Sequence, residues 1–247
     1  MSGHSKWATI KHAKGAADAK RGKMFTKLIK EISISARMGG GNADTNPRLR
    51  TAILKAKVAN MPKDNIERAI KKGTGELEGV SYEELTYEAY APGGVAIFIE
   101  VMTDNKNRAA AEIRNILTRA NGQLATAGSV SRLFKRQGVI TLDGEKYTED
   151  AVMEAALEGG ADDVSLEDGI IEVITAPEDF EAVLNALQAK EFETMNAEIS
   201  MVADVDVTLD NEGTAKTLKL IEKLEDYDDV QNVYTNIAIP DDYQGDA

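Results

Sequence analysis

The spacing of apolar residues changes once along this chain, and the change limits what it can fold into. Over residues 17–73 they recur every three or four positions; from about Tyr82 they fall into short blocks and alternations. The first spacing buries one stripe of a helix, the second a face of a strand. An α+β chain that opens with an N-terminal helical bundle is therefore expected.

Three helices are predicted first. Over residues 17–38, Phe25, Leu28, Ile29, Ile32 and Ala36 form one face, and Lys20, Lys23, Lys27, Lys30 and Arg37 the opposite one; Ile34 breaks the second set. Gly39-Gly40-Gly41 ends this helix. Asn46-Pro47 starts the next, since Asn caps well and Pro is tolerated at the first helical position. Leu49, Ala52, Ile53 and Ala56 face inward there, with Arg48, Arg50, Lys55 and Lys57 around them. A third helix starts near Pro62, turns Ile66, Ala69 and Ile70 inward and stops at Gly73. Residues 73–76 read as a linker.

Strands are predicted over 85–91 and 95–102, joined at Pro92-Gly93-Gly94 by a type II turn, then a helix over 107–120. Next come a strand at 139–142, a helix at 148–157, strands at 163–166 and 170–174, a helix at 177–189 and a strand at 197–202. That β-α-β-β-α-β order is ferredoxin-like. A strand near 205–207, a helix over 212–225 and a strand over 230–237 close the chain. The segments on either side of the ferredoxin-like stretch are each half a domain. The expected layout is a basic bundle at 1–80, a split α+β domain at 81–136 and 204–240, an inserted acidic α+β domain at 137–203, and a disordered tail at 241–247.

Charge sharpens this division. The net charge of −13 argues against a phosphate binder if taken whole. Residues 1–72, however, hold 17 Lys/Arg against 5 Asp/Glu, whereas residues 137–247 hold 5 against 29. Such asymmetry points to a nucleic-acid-facing end. The candidate contacts are His4, Ser5, Lys6, Trp7, Lys11, His12, Lys14, Lys20, Arg21, Lys23, Lys27, Lys30, Arg48 and Arg50. Cations meet phosphates, and Trp7 either stacks on a base or packs under the helices. The bland alternative is a solvated helix face with a loose lead. The acidic lobe orients the molecule by repelling phosphate, or is plain solvated surface, Asp226, Asp228 and Asp229 included.

Other chemistries lack their signatures. There is no cysteine, so no disulfide, thiol nucleophile or thiolate metal site. The two histidines, His4 and His12, have no nearby ligand set for a metal and no oriented partner for base catalysis. Gly15 and Gly22 are too far apart for a phosphate loop, and Met24 replaces its hydroxyl. No Gly-x-Ser-x-Gly elbow or calcium loop occurs. Asp204 and Asp206 are expected on one face of a strand. The longest apolar run, 95–99, is far short of the roughly 20 residues of a membrane span. No catalytic residue, cofactor, metal, membrane or small-molecule substrate is expected, and no oligomeric state is assigned. A protein-interaction adaptor is the competing non-enzymatic class.

Several motifs then carry a resemblance. Gly3-His4-Ser5-Lys6-Trp7, Ile10-Lys11-His12-x-Lys14, Asp18-x-Lys20-Arg21-Gly22-Lys23-x-Phe25-Thr26-Lys27 and Asn46-Pro47-Arg48-Leu49-Arg50 open the chain. Tyr87-Glu88-x-Tyr90-x-Pro92-Gly93-Gly94, Thr103-Asp104-Asn105-x-Asn107-Arg108 and Gly128-Ser129-Val130 follow. Together they closely resemble the YebC/PmpR family across the whole chain. Many members carry glycine where Ala89 and Ala91 stand here. The resemblance implies a helical bundle plus two α+β domains, one split by the other, and a cytoplasmic protein without enzymatic activity. It implies either a DNA-binding transcriptional regulator or a ribosome-associated translation factor that relieves stalling, notably at proline-rich stretches. The partner is then promoter DNA or ribosomal RNA.

Overall fold

The computed structural model describes residues 18–240 and Tyr243, with side chains described from residue 22 onward. Three helices come first: α1 (Asp18–Gly39), α2 (Pro47–Val58) and α3 (Lys63–Thr74). Ile32 and Ala36 of α1 bury against Leu49, Ala52 and Ala56 of α2 and Ile66 and Ala69 of α3. Asn46 caps α2 by accepting the Leu49 N–H at 3.1 Å, and its Nδ2 donates to the Ser35 and Gly40 carbonyls. One side chain thus joins the end of α1 to the start of α2. α3 runs past Gly73, and its left-handed cap is Gly75, with φ 82°. Gly73 serves packing instead: a Cβ there would lie 2.2 Å from the Ser33 carbonyl oxygen of α1. Close helix approach demands the same residue as a cap, which is why spacing alone misplaced this helix end.

β1 (Glu83–Tyr90) and β2 (Ala96–Thr103) form the expected antiparallel hairpin. In its turn Gly94 N–H donates to the Ala91 carbonyl at 3.3 Å, and Gly93 takes φ 81°, ψ 5°, as the third residue of a type II turn must. α4 (Lys106–Arg119) and the short β3 (Gln123–Leu124) follow. The chain then leaves for a second sheet of β4 (Phe134–Asp143), β5 (Asp163–Glu167), β6 (Ile170–Thr175) and β7 (Thr194–Ala203), carrying α5 (Glu149–Glu158) and α6 (Phe180–Ala189). It returns through β8 (Val207–Thr208), α7 (Asn211–Glu225), β9 (Val230–Thr235) and β10 (Ile237–Ala238).

The first sheet has the order β3-β1-β2-β9, so the returning β9 completes it beside β2. Ile97, Ile99 and Val101 bury there with Ile113 and Leu117 of α4 and Leu220, Ile221 and Leu224 of α7. Each such aliphatic burial stabilises by about 1.5–3 kcal/mol. The second sheet has the order β5-β6-β4-β7, antiparallel throughout, which is the ferredoxin-like arrangement. Its helix-covered core holds Ile140, Leu142, Ile171, Val173, Val183 and Leu187. A further cluster joins the two sheets: Ala96, Phe98 and Tyr234 from the first, Phe134, Met201 and Ala203 from the second. The Phe98 and Phe134 rings lie 6.4 Å apart there.

Several predicted boundaries move. The last strand breaks at Asn236, whose Oδ1 accepts the Ala96 N–H at 2.8 Å while its Nδ2 reaches the Val205 carbonyl at 3.1 Å. β10 consequently leaves the sheet and pairs in parallel with β8. The strand expected at 205–207 shrinks to Val207–Thr208, so Asp204 and Asp206 do not share a strand face. Asp204 instead pairs with Lys135 at 2.7 Å. The helix expected from Pro177 starts at Phe180, after a turn. Tyr243, the described member of the tail expected to be disordered, packs against the core of the split domain.

Candidate nucleic-acid interface

His4, Ser5, Lys6, Trp7, Lys11, His12 and Lys14 lie outside the described residues. Lys20 and Arg21 belong to the first turn of α1, with side chains outside the description. Lys23, Lys27 and Lys30 stand at i, i+4 and i+7, one stripe of α1 opposite the bundle core. The structure brings all three together, against the split domain. Lys23 Nζ pairs with Asp226 at 3.0 Å, Lys27 Nζ donates to the Glu225 carbonyl at 2.8 Å, and Lys30 Nζ donates to the Asp228 carbonyl at 2.7 Å. These oxygens crowd the C-terminal end of α7. Helix C-termini carry unpaired carbonyls and the negative end of the dipole, so cations suit them.

Lys30 is not on the solvated face expected of it. It is 4% exposed, pairs with the equally buried Asp229 at 2.5 Å, and lies 5.6 Å from the centre of the Tyr82 ring. Its ammonium faces a protein socket rather than solvent. Asp229 is likewise buried, not solvated surface. Thr103 Oγ1, Arg108 Nη2 and Tyr227 Oη donate to its Oδ2 at 2.9, 2.8 and 2.9 Å. Arg108 also reaches Asp104 at 2.6 Å, and Asn105 caps α4 by accepting the Arg108 N–H at 3.0 Å. Burial pushes the Asp229 carboxyl up, but the hydrogen bonds from Arg108, Lys30 and Thr103 outweigh it and hold the group at about 2. The Thr103-Asp104-Asn105-x-Asn107-Arg108 motif is therefore the framework that receives Lys30.

Arg48 is also engaged. It pairs with Glu31 of its own bundle at 2.8 Å and with Glu84 at the start of β1. Hydrogen bonds to Glu84 and Glu31 raise its already high pKa further. Arg50 remains exposed; its Nη1 donates to the Ala43 and Asp44 carbonyls at 3.2 and 3.3 Å. Lys55 and Lys57, on the same helix, are exposed and make no ion pair with any described residue. α2 contains no acidic residue, and Leu54 and Val58 are exposed between its cations. Neither is among the candidate contacts that the sequence suggests, because the N-terminal run is denser in cations. By contrast, α3 opens with exposed Asp64 and Glu67, the latter paired with Lys63 at 3.4 Å.

Among the described residues no group of three or more His, Asp or Glu is placed to hold a metal, and no helix is long and apolar enough to cross a membrane. The description "TACO1/YebC protein N-terminal domain" matches residues 5–76, and "TACO1/YebC second and third domain" matches residues 82–237. The chain belongs to the TACO1/YebC family. A "Probable transcriptional regulatory protein" of Treponema denticola is 65% identical, with 99% of each chain covered. A protein of the same name from Syntrophobacter fumaroxidans is 58% identical, with 98% of each covered. A crystal structure of a conserved hypothetical protein from Aquifex aeolicus aligns with a TM-score of 0.80 at 46% identity, covering 91% of this chain and 93% of that one.

The fold explains two of the motifs that resemble other TACO1/YebC sequences. Glu88 and the Gly128-Ser129-Val130 loop meet where the chain crosses between sheets. Tyr90 Oη donates to the Ser129 carbonyl at 3.3 Å beside them. The alanines at 89 and 91 fit ordinary backbone. Ala89 lies within β1, paired with Ile97, and Ala91 is extended at φ −86°, ψ 167°. Both methyl groups are buried in the core of the split domain. Neither position needs glycine's conformational freedom.

Proposed function

We propose that this chain is a non-enzymatic, cytoplasmic regulator of gene expression that binds nucleic acid, and that its site of action is the ribosome. The basic bundle contacts ribosomal RNA or tRNA, and the protein relieves stalled elongation. The observation that carries this reading is the outer face of α2, where Arg50, Lys55 and Lys57 are exposed on a helix free of acid. Phosphate contacts need such cations, and they supply affinity without reading sequence.

α2 and α3 follow one another across a short connection, as do the two helices of a helix-turn-helix, in which the second helix enters a major groove. Here that second helix opens with Asp64 and Glu67, which oppose phosphate. α3 also carries the exposed cations Lys63, Arg68, Lys71 and Lys72, but its N-terminal half holds the acids and only α2 of the pair is free of them. This favours backbone recognition of folded RNA over base reading in a promoter. The acidic second sheet and the returning segment, which repel phosphate, orient the molecule bundle-first.

A second reading, a DNA-binding transcriptional regulator, has its own support in the printed names of the Treponema and Syntrophobacter relatives. Co-sedimentation with ribosomes at graded salt, with random and promoter duplexes as competitors, separates the two. Retention through physiological salt with no preferred duplex supports the ribosome. A duplex preference of about 10³ or more supports the promoter.

A further inference from the structure

Among the described residues, no apolar cluster spans the bundle and the split domain, whereas one does join the two sheets. Apart from Ile34, buried in line with the lysine stripe, the contacts that attach the bundle are polar: the lysine stripe on residues 225–229, Arg48 on Glu84, and Arg37 Nη1 on Ser81 Oγ at 2.6 Å. Lys23–Asp226 and Arg48–Glu84 are exposed pairs, weak and open to competing charge, whereas Lys30–Asp229 is buried and is the firm point of the attachment. Residues 75–81 between the two parts are exposed and outside helix and strand. Seven residues extend to about 25 Å, enough slack for the bundle to move as a unit.

The docked face is itself informative. The stripe of Lys23, Lys27 and Lys30 meets two carboxylates and two carbonyl oxygens in a row. A row of anionic oxygens is also what a nucleic-acid strand presents. We propose that residues 225–229 are an internal stand-in for phosphate. They hold the lysine stripe while no polyanion is bound, and a nucleic-acid strand displaces them and swings the bundle off the split domain. The exchange replaces one set of oxygens with another, so the lysines are never left unpaired, and the Asp229 socket keeps Arg108 and Thr103 as partners. The device rests on the nucleic-acid reading above. It makes the apparent affinity depend on the open fraction.

The chain has no cysteine, so Lys23→Cys with Asp226→Cys gives one addressable pair in the full-length protein. Bridging that pair with a short bis-maleimide straps the bundle shut; capping both thiols with N-ethylmaleimide is the open control. The probe is labelled poly(U) RNA, followed by fluorescence anisotropy. The strapped protein is expected to bind at least about tenfold more weakly than the capped one. In the uncrosslinked chain, Asp226→Asn loosens the latch without leaving a buried charge unpaired. It should tighten poly(U) binding severalfold more than Asp163→Asn, an exposed acid on the second sheet. Equal affinities of strapped and capped proteins overturn the latch and leave the nucleic-acid reading standing. Absence of binding by either form overturns both. Equal gains from Asp226→Asn and Asp163→Asn overturn the latch by showing bulk charge alone.

Discussion

The Glu88 carboxylate accepts the Val130 N–H at 2.5 Å, across the point where the chain leaves the first sheet for the second. It also accepts the Gly128 N–H at 2.7 Å and the Ser131 N–H at 3.1 Å. Burial raises its pKa, but these three backbone bonds prevail and bring it below the usual carboxylate range. Backbone donors that a loop turns away from water need partners, and here a single side chain serves a set of three, part-buried at Gly128 and Ser131 and buried at Val130.

Glu88→Gln tests that anchor. The amide keeps one acceptor oxygen and turns an NH₂ toward N–H donors, so the substitution should cost about 2 kcal/mol. Calorimetry should show a Tm lower by several degrees, and the amides of Val130 and Ser131 should exchange faster. Unchanged exchange at both would contradict the anchor.

Acid should loosen the protein through Asp229 and Glu88 together. Both carboxyls are held below their ordinary values in the folded chain. A lowered folded pKa gives stability that is full above the unfolded value and is lost as pH falls through the folded one. The window for Asp229 therefore runs from about pH 4 down to about pH 2, and its contribution is about 2 kcal/mol. Urea denaturation across that window checks it. Asp229→Asn should lower stability at neutral pH and flatten the acid slope.

The β1–β2 turn separates strain from crowding. Gly93 and Gly94 both have positive φ, 81° and 82°. A Cβ on Gly93 would also lie 2.4 Å from Leu209 Cδ2, whereas a Cβ on Gly94 meets open space. Gly94→Ala should cost about 1 kcal/mol, and Gly93→Ala measurably more. Thermal denaturation of the two variants should rank them in that order.

Much of this fold was legible because local and long-range signals agreed. Asn46 capped its helix, Pro92-Gly93 made its turn, and the β-α-β-β-α-β rhythm gave the second sheet. The lysine stripe was not legible in the same way, because charge pattern records which residues are cationic and not what they face. One cue was present. Ile34, the apolar break in the basic face of α1, is 1% exposed and lies in line with Lys27 and Lys30. An apolar residue amid a cationic stripe marked a second contact surface. Asp229 was hidden for a related reason: its partners Thr103 and Arg108 lie more than a hundred residues away in sequence. The lysines of α2 are legible as surface, and both are exposed.

The most direct test of the central claim is ribosome pelleting of Lys55→Ala with Lys57→Ala against the unaltered chain over graded salt. Both side chains are exposed and make no ion pair with any described residue, so Tm should stay within about 1 °C. The account predicts weaker retention at every salt concentration, with the log-affinity against log-salt slope shallower by about 1.4, the counterions of two phosphates on a single strand. Retention and slope equal to those of the unaltered protein would contradict a phosphate-binding face on α2.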